Sequence, residues 1–365
     1  LAAPPVPAWW DDGRFGIFIH WGPYAVPAFG WQIPFVGRTA PSEWYLLAQQ
    51  IPLTPPWWSH ASRYGTDVTY DELFPRFTAE RFDAQDWVDL FESAGARYFV
   101  LTAKHHDGFA MWCSDTTERD SCDDGPHRDL VGELMQAART DGRRIKPGLY
   151  YSIPEFENPA PKPSRLFGSD EVSNLVFGTL QPRNAYTGEP VAYRGQGTVE
   201  DYADGIVRPQ VRELIDRYGP QVLWCDYGTA EWYFRSNELI AQYFNRAVAT
   251  ASDGVVVNDR CGDSTTHRDY QTVEQGAGFE QEASGLRSET ARTMGESWGF
   301  DQNEPVSARR SSDDLIDGLA SAVAANSNFL LNIGPTADGS IPTWQRERLL
   351  DIGAWLRING AAIHG

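Results

Sequence analysis

Short apolar runs along the chain alternate with longer stretches in which apolar residues recur every three or four positions. The short runs are typical of buried strands, and the longer stretches are typical of amphipathic helices. Strands are predicted near residues 15–20, 97–103, 146–151, 221–226, 255–260 and 328–333. Helices are predicted at 84–95, 128–142, 199–219, 236–249, 312–327 and 344–360, and several of them end in Gly or Asn, as helices commonly do.

This alternation indicates βα units around a parallel sheet. Two further strands are needed between about 270 and 300, where the pattern is weaker, and they would bring the total to that of a (β/α)8-like barrel. A doubly wound sheet is less consistent with the sequence, because no G-x-G-x-x-G follows the first strand. We therefore expect a single barrel domain over 1–365, with long loops at about 23–80 and 153–200 on its active face.

Polar residues lie at the ends of the predicted strands. The polar strand-end residues are His20, His105, His106, Tyr151, Asp226 and Arg260. In a barrel of parallel strands, such residues gather at the carboxyl-terminal face, where active sites are built. The sequence therefore predicts one site made from several strand ends.

Asp226 ends the apolar run QVLWCDYG and has three interpretations. It could cap the next helix, although Tyr227 and Gly228 intervene, or it could form a structural salt bridge with Arg260. The third interpretation is a catalytic nucleophile. A carboxylate at the end of a buried strand is costly unless it is paired or used, and the barrel context favours catalysis.

The neighbours His105 and His106 are predicted to bind hydroxyl groups of a ligand. In a regular strand adjacent side chains point to opposite faces, so the pair is a poor metal motif, and a structural hydrogen-bonding role is the other alternative. The acidic stretch 120–129 lacks the alternating ligands of a calcium loop. No metal and no cofactor are expected.

A general acid to accompany Asp226 is not defined by spacing alone. Glu274 and Glu289 lie beyond Arg260 in the weakly patterned region. The competing carboxylates are Glu280, Glu282 and Glu296. Several assignments therefore remain open at this point.

Composition narrows the class of partner. The 365 residues carry a net charge of −19, which argues against nucleic acid and anionic membrane surfaces as partners. Aromatic residues make up 13% of the chain, with 14 Trp, which suits a site that stacks on sugar rings. No segment is apolar enough over its length to predict a membrane span.

The four cysteines leave the compartment open. Cys113 and Cys122 flank a polar stretch and could form a local disulfide. Cys225 and Cys261 end two neighbouring predicted strands, where buried free thiols are about as consistent with the sequence as a disulfide.

Eight segments in this order resemble the α-L-fucosidases of glycoside hydrolase family 29: FGIFIHWGPYAVPAF, SEWY, KHHDGFAMW, GLYYS, LWCDYG, VVNDRCG, MGESWGF and NFLLNIGPTADGSIP. The resemblance runs from about Trp9 to Gly365. It implies a (β/α)8-like catalytic barrel, which in that family is often followed by a β-sandwich domain that we expect to be absent here. It also implies an exo-acting, retaining hydrolase of terminal α-L-fucose, with a fucosylated oligosaccharide or glycan as its partner.

The resemblance assigns roles to individual residues. Asp226 matches the nucleophile, and Arg260 is expected to orient the carboxylates or to bind a hydroxyl. The residues that match hydroxyl-binding positions are His20, Glu43, Trp44, His105 and His106. The residues that match positions around the C6 methyl group are Phe18, Tyr151 and Trp298.

The acid/base residue is less clearly implied, because the chain departs from the family pattern. Thr272-Val273-Glu274 stands where many members have T-P-E, and Ser288-Glu289 stands where others have a W-E pair. Glu274 is preferred and Glu289 is the alternative. Two other functions are alternatives to an α-L-fucosidase: a fucose-binding protein on a degenerate barrel, and a metal-dependent hydrolase that uses His20, His105 and His106.

The expected location is secreted or periplasmic in a bacterium, although no signal peptide is visible. The resemblance does not indicate which fucosyl linkage is cleaved or how many copies of the chain assemble. The leaving-group side of the site is expected within 23–42 and 153–200.

Overall fold

The computed structural model describes residues 5–33, 38–163, 166, 181–195, 199–250, 253–275 and 287–364. In chain order the strands are Phe15–Ile19 (β1), Trp31–Ile33 (β2), Arg38–Ala40 (β3), Tyr98–Lys104 (β4), Lys146–Ser152 (β5), Val222–Asp226 (β6), Val256–Val257 (β7), Tyr270–Glu274 (β8), Arg287–Thr293 (β9) and Ser327–Ile333 (β10). β2 and β3 form a separate antiparallel pair in the loop region after β1.

The other eight strands form one sheet in the order β7-β6-β5-β4-β1-β10-β9-β8, and all neighbouring pairs are parallel. The sheet is nearly closed between β7 and β8. There, the amide of Asp269 donates to the carbonyl of Val257 (2.9 Å), and the amide of Val257 donates to the Asp269 carboxylate (2.8 Å). The fold is thus the expected (β/α)8-type barrel, and both strands predicted between 270 and 300 are present.

Helices surround the sheet. The α-helices are Ala8–Asp12, Tyr45–Ala48, Pro55–Arg63, Ala84–Ser93, Leu130–Ala138, Arg208–Glu213, Glu231–Phe234, Ser236–Ala249, Ser312–Ala324, Thr343–Asn359 and Ala361–His364. Short 3-10 helices are Pro23–Ala25, Ser42–Trp44, Asp71–Arg76 and Val306–Ala308. None of the helices in the described ranges combines the length and apolar character that a membrane span requires.

Local sequence explains where the helices begin and end. The Asp83 side chain accepts hydrogen bonds from two amides of the first turn of Ala84–Ser93, and Ser311 forms a capping box with Asp314. The helix predicted at 199–219 is irregular, because π-helical turns at Ala203–Val207 and Leu214–Tyr218 flank its α-helical centre. It ends at Gly219, which adopts a left-handed conformation.

Strand alternation divides the core into two layers. A large outer cluster fills the space between the sheet and the helices. A smaller inner cluster fills the barrel and consists of Trp10, Phe18, Tyr98, Val100, Tyr150, Val222, Trp224, Val256, Tyr270, Ala291 and Leu330. Since the bottom of the barrel is packed with these side chains, open space for a ligand remains at the carboxyl-terminal ends of the strands.

Candidate active site

A cavity of about 920 Å³ opens at the carboxyl-terminal ends of the strands. Ten of the residues assigned to the site from the sequence line it: Phe18, His20, Glu43, Trp44, His105, His106, Asp226, Arg260, Glu274 and Trp298. The volume is typical of small-molecule sites and leaves room beyond a single sugar ring.

Asp226 ends β6 and is held from three directions. Its Oδ2 accepts from the Tyr150 hydroxyl (2.8 Å), and its Oδ1 accepts from Arg260 Nη1 (3.1 Å) and from the Tyr227 amide (3.0 Å). Tyr227 has a φ of 54°, a conformation that is rare for residues other than glycine and that clusters at functional sites. The helix-cap interpretation of Asp226 is therefore not supported, because its partners are a tyrosine, an arginine and the adjacent amide.

Arg260 joins Asp226 to Glu274. The same Nη1 atom that contacts Asp226 also pairs with Glu274 Oε1, and Nε donates to Thr272 Oγ1 (2.6 Å). Two oxygens that share one donor nitrogen lie within roughly 6 Å of each other. That range includes the spacing of about 5–5.5 Å typical of retaining glycosidases and falls short of the spacing in inverting ones.

The electrostatics of this trio favour a proton on Glu274. Burial raises the pKa of Glu274, the positive charge of Arg260 opposes that rise, and the negative charge of Asp226 adds to it. Burial also works against the charge of Arg260, but the two carboxylates raise the pKa of its guanidinium above the usual value. Glu274 lies at the rim of the cavity, with 37% of its side chain exposed, where it can exchange protons with water.

Three neutral histidines also line the cavity, and one of them, His106, has its Nε2 3.8 Å from Asp226 Oδ2. Burial lowers the pKa of His20 and of His106 to about 3, and it also lowers the pKa of His105. All three rings are therefore uncharged at neutral pH.

Hydrogen bonds fix the tautomers of two of these rings. Asn332 Nδ2 donates to the carbonyl of Trp298, so its Oδ1 faces His20 Nδ1 (2.7 Å) and must accept from it. Similarly, the Ser152 hydroxyl donates to the carbonyl of Pro154, so it accepts from His106 Nδ1 (2.6 Å). In both rings Nε2 is therefore a hydrogen-bond acceptor, suited to a hydroxyl donor.

Glu43 offers a further polar group to a ligand. Its Oε2 accepts from the Gly299 amide (2.9 Å), whereas its buried Oε1 has no hydrogen-bond partner within the described ranges. Burial raises the pKa of this carboxyl group to about 7. An unpaired buried oxygen costs free energy, and a hydroxyl of a bound ligand would satisfy it.

Aromatic rings form an apolar part of the cavity. Phe18 contacts Trp224 and Trp298, with ring centroids 5.2 and 5.8 Å away. Trp44 also lines the cavity, with its ring 5.8 Å from that of His106.

Comparison with known proteins places the whole chain in one family. The family model described as α-L-fucosidase matches residues 1–361. Bovine tissue α-L-fucosidase is 35% identical over 375 residues, which cover 100% of this chain and 70% of the bovine protein. The chain belongs to the α-L-fucosidase family. As a member of that family it is a glycoside hydrolase.

Solved structures of fucosidases share the fold. A Thermotoga maritima α-fucosidase in complex with fucose is 36% identical, with a TM-score of 0.77, over 99% of this chain and 76% of the other. An α-L-fucosidase from Lactobacillus casei, in complex with α-L-fucose product, is 26% identical, with a TM-score of 0.69, over 97% of this chain and 99% of the other.

One residue assigned from the family resemblance does not lie in the cavity of this α-L-fucosidase family member. Tyr151 packs in the outer layer of the core, and its hydroxyl contacts Gln210 (2.8 Å) and Lys104 (3.1 Å). Tyr150 takes the place in the cavity, because successive residues of a strand point to opposite faces and Tyr150 is the inward one. The prediction for Tyr151 is wrong by one position.

Sequence reasoning also missed Trp224, Asp259 and Trp31, which line the cavity of this fucosidase-family barrel. Trp224 lies two residues before Asp226 on the same strand, so strand alternation could have indicated that both face inward. The leaving-group side was predicted within 23–42 and 153–200, and residues of the first range are found in the cavity lining. Trp31, Ala40 and Pro41 line the cavity, but among the described residues of 153–200 none does.

Glu289, the alternative acid, lies beneath the cavity. It is fully buried, and its two oxygens accept from the Tyr98 hydroxyl (2.6 Å) and from Trp224 Nε1 (2.9 Å). It is absent from the cavity lining, so it has no direct path to a bound sugar. The competing Glu280 and Glu282 lie outside the described residues, and Glu296 does not line the cavity either.

The burial of Glu289 predicts a pH-dependent contribution to stability. Burial raises its pKa from 4.5 to about 7, so the folded protein binds this proton more tightly than the unfolded chain does. The protein therefore loses stability, relative to Glu289→Gln, as the pH rises from 4.5 to about 7. Urea unfolding at about pH 5 and about pH 8 is expected to show a relative change of roughly 2–3 kcal/mol.

The exposed Glu347→Gln serves as the control for this measurement, because it makes the same chemical change at the surface and leaves the interior of the barrel intact. A Glu289→Gln difference that is independent of pH would contradict the assignment of a buried, proton-binding Glu289.

The cysteines are all paired. Cys113 bonds to Cys122, and Cys225 bonds to Cys261. For Cys225 and Cys261 the sequence was equally consistent with free thiols and with a disulfide, and the structure shows the disulfide. Within the described ranges, no group of three or more His, Cys, Asp or Glu side chains is arranged to hold a metal ion.

Proposed function

We propose that this protein is an exo-acting, retaining α-L-fucosidase that releases terminal α-L-fucose from oligosaccharides or glycoconjugates. The observation that carries the proposal is the arrangement of two carboxylates, Asp226 and Glu274, on one Arg260 nitrogen in a cavity lined with hydrogen-bonding side chains and aromatic rings. Family membership supplies the class of sugar.

In the first step, Asp226 attacks the anomeric carbon while Glu274 donates its proton to the departing oxygen. The bond from the anomeric carbon to the leaving group breaks, and an ester bond between fucose and Asp226 forms. The Tyr150 hydroxyl and Arg260 keep the attacking carboxylate in place.

In the second step, Glu274 removes a proton from water, which attacks the same carbon and releases Asp226. The change of role follows from the charges. Once Asp226 is esterified its negative charge no longer raises the pKa of Glu274, while the positive charge of Arg260 continues to lower it. Glu274 is thereby a better acid before the ester forms and a better base afterwards.

The proposed recognition of fucose divides between polar and apolar contacts. The Nε2 atoms of His20 and His106 would accept hydrogen bonds from sugar hydroxyls, and Glu43 Oε1 would accept another. Phe18 and Trp298 would contact the C6 methyl group, which distinguishes fucose from galactose. Trp224 is a further apolar neighbour of that pocket.

Hydrolysis of a set of aryl glycosides tests this function. The α-L-fucoside should be the best substrate, and the α-L-galactoside, which adds one hydroxyl at C6, should have a kcat/KM about 10- to 100-fold lower. The α-L-rhamnoside should be poorer by about 10⁴-fold, because misdirected hydroxyls leave buried polar groups unpaired. Comparable turnover of all three sugars would contradict the proposal.

We also propose that the protein works in an oxidising compartment, as a secreted or periplasmic enzyme would. Two disulfides support this, since disulfides persist mainly outside the cytosol.

A further inference from the structure

The disulfide between Cys225 and Cys261 lies directly beside the proposed catalytic residues. Cys225 immediately precedes Asp226, and Cys261 immediately follows Arg260. The two cysteines are 36 residues apart in sequence, with Cα atoms 4.8 Å apart. One covalent bond therefore connects the strand that ends in Asp226 to the segment that carries Arg260.

This bond occurs where the regular sheet has already stopped. The ladder between β6 and β7 consists of the pairs Val222–Val256 and Leu223–Val257, so it ends before Asp226 is reached. Strands that separate early leave the residues beyond them free to move apart, unless other bonds replace the ladder.

Other contacts replace the ladder only in part. The Asn258 side chain accepts from the Cys225 amide (3.0 Å) and donates to the Cys225 carbonyl (2.9 Å). Further along, the Gly228 amide donates to the Arg260 carbonyl (2.8 Å). The disulfide joins Cys225, which carries the first set of hydrogen bonds, to Cys261, which follows the residue that carries the second, and it is the covalent part of the connection.

We propose that the Cys225–Cys261 disulfide positions Asp226 and Arg260 relative to each other for catalysis. The two cysteines are positioning residues, since they act through their neighbours and do not contact the sugar. The inference rests on the proposed roles of Asp226 and Arg260. It has a physical reason, because a displacement of about 1 Å at a reacting group can cost about 10²-fold in rate.

The chain contains its own control. Cys113 and Cys122 also form a disulfide, but neither residue lines the cavity. The double variant Cys113→Ser/Cys122→Ser therefore removes a disulfide without touching the site, and it is compared with Cys225→Ser/Cys261→Ser.

With an aryl α-L-fucoside, Cys225→Ser/Cys261→Ser is expected to lose at least about 10-fold in kcat/KM. The control pair should stay within about twofold of wild type. A wild type that is inactive on the fucoside would contradict the proposed function itself. An active wild type and an equally active Cys225→Ser/Cys261→Ser variant would overturn only the positioning role.

The pH profile separates positioning from simple loss of folded protein. Arg260 and Asp226 are charged groups that face Glu274, and Arg260 lowers the pKa of Glu274. If Arg260 moves away, that pKa rises and the acid form of Glu274 persists to higher pH. The basic limb of kcat/KM should therefore move up by about half a pH unit or more. Partial unfolding would scale the profile without moving it, and an unmoved profile would overturn the proposal.

A second measurement covers the case in which the variant does not fold. Both cysteines are almost fully buried, with exposures of 4% and 3%, so a small phosphine is used on the folded wild-type protein. The disulfide takes up two electrons and two protons to give two thiols, while the phosphine becomes its oxide with oxygen from water. Alkylation and peptide mass analysis then report which pair is reduced.

Activity is expected to fall in step with reduction of Cys225–Cys261 and to return on reoxidation. Full activity with this pair reduced would overturn the proposal.

Discussion

Asp226→Gly is expected to lower kcat on an aryl α-L-fucoside by at least about 10⁴-fold. The glycine leaves no group to form the ester, and among the described residues no other carboxylate accepts from both Tyr150 and Arg260. The variant should remain folded, because Arg260 keeps its pairing with Glu274 and its hydrogen bond to Thr272. Steady-state kinetics together with a thermal unfolding curve check both parts.

Asp253→Gly is a matched control for this substitution. Asp253 is an exposed aspartate that pairs with Lys146 at the surface. Its replacement should leave kcat within about twofold. Near-normal turnover by Asp226→Gly would show that Asp226 is not the nucleophile.

Glu274→Ala is expected to lower kcat/KM by about 10²- to 10⁴-fold for a substrate with a sugar leaving group. The loss should be much smaller for an aryl fucoside with a good leaving group, because such a group departs without a proton. Added azide should restore turnover and yield α-fucosyl azide, since azide intercepts the ester on Asp226 from the face that water uses.

Glu289→Ala, measured beside it, separates the two candidate acids. Glu289 lies beneath Trp224 with both oxygens engaged, so its loss should affect stability more than the dependence on the leaving group. If the sensitivity to the leaving group and the azide product appear in Glu289→Ala and not in Glu274→Ala, the assignment of the acid is reversed.

The architecture could be predicted because strand and helix patterns differ in period. Five of the eight barrel strands have bounds close to those predicted, and two more lie within the predicted range of 270–300. The eighth, β7, has only two residues, although a strand was predicted over 255–260. The sequence there is apolar enough for a strand, yet the chain departs from β6 after Val257, and side-chain contacts from Asn258 take over.

The site residues were predictable wherever a polar residue ends or directly follows an apolar strand, as Asp226 and His20 do. Regular alternation does not explain why His105 and His106 both line the cavity. The register between β4 and β5 shifts between Thr102 and Lys104, and this irregularity re-aims the residues that follow.

Other features could not be read from the pattern. Tyr150 and Tyr151 are identical neighbours, so nothing in their chemistry indicates which one faces inward. Glu43 comes from a 3-10 turn in the long loop, and its unpaired oxygen is visible only in three dimensions. The pairing of Cys225 with Cys261 likewise depends on the closeness of two strand ends.

The anomeric configuration of the product that Asp226→Gly forms with azide tests the nucleophile most directly. With the carboxylate missing, azide can occupy its place and attack an α-L-fucoside from the same face, which inverts the anomeric carbon. The proton NMR coupling of the anomeric hydrogen distinguishes the two products. The account predicts β-fucosyl azide. Formation of the α anomer by Asp226→Gly would contradict it, because a different residue would then be forming the covalent intermediate.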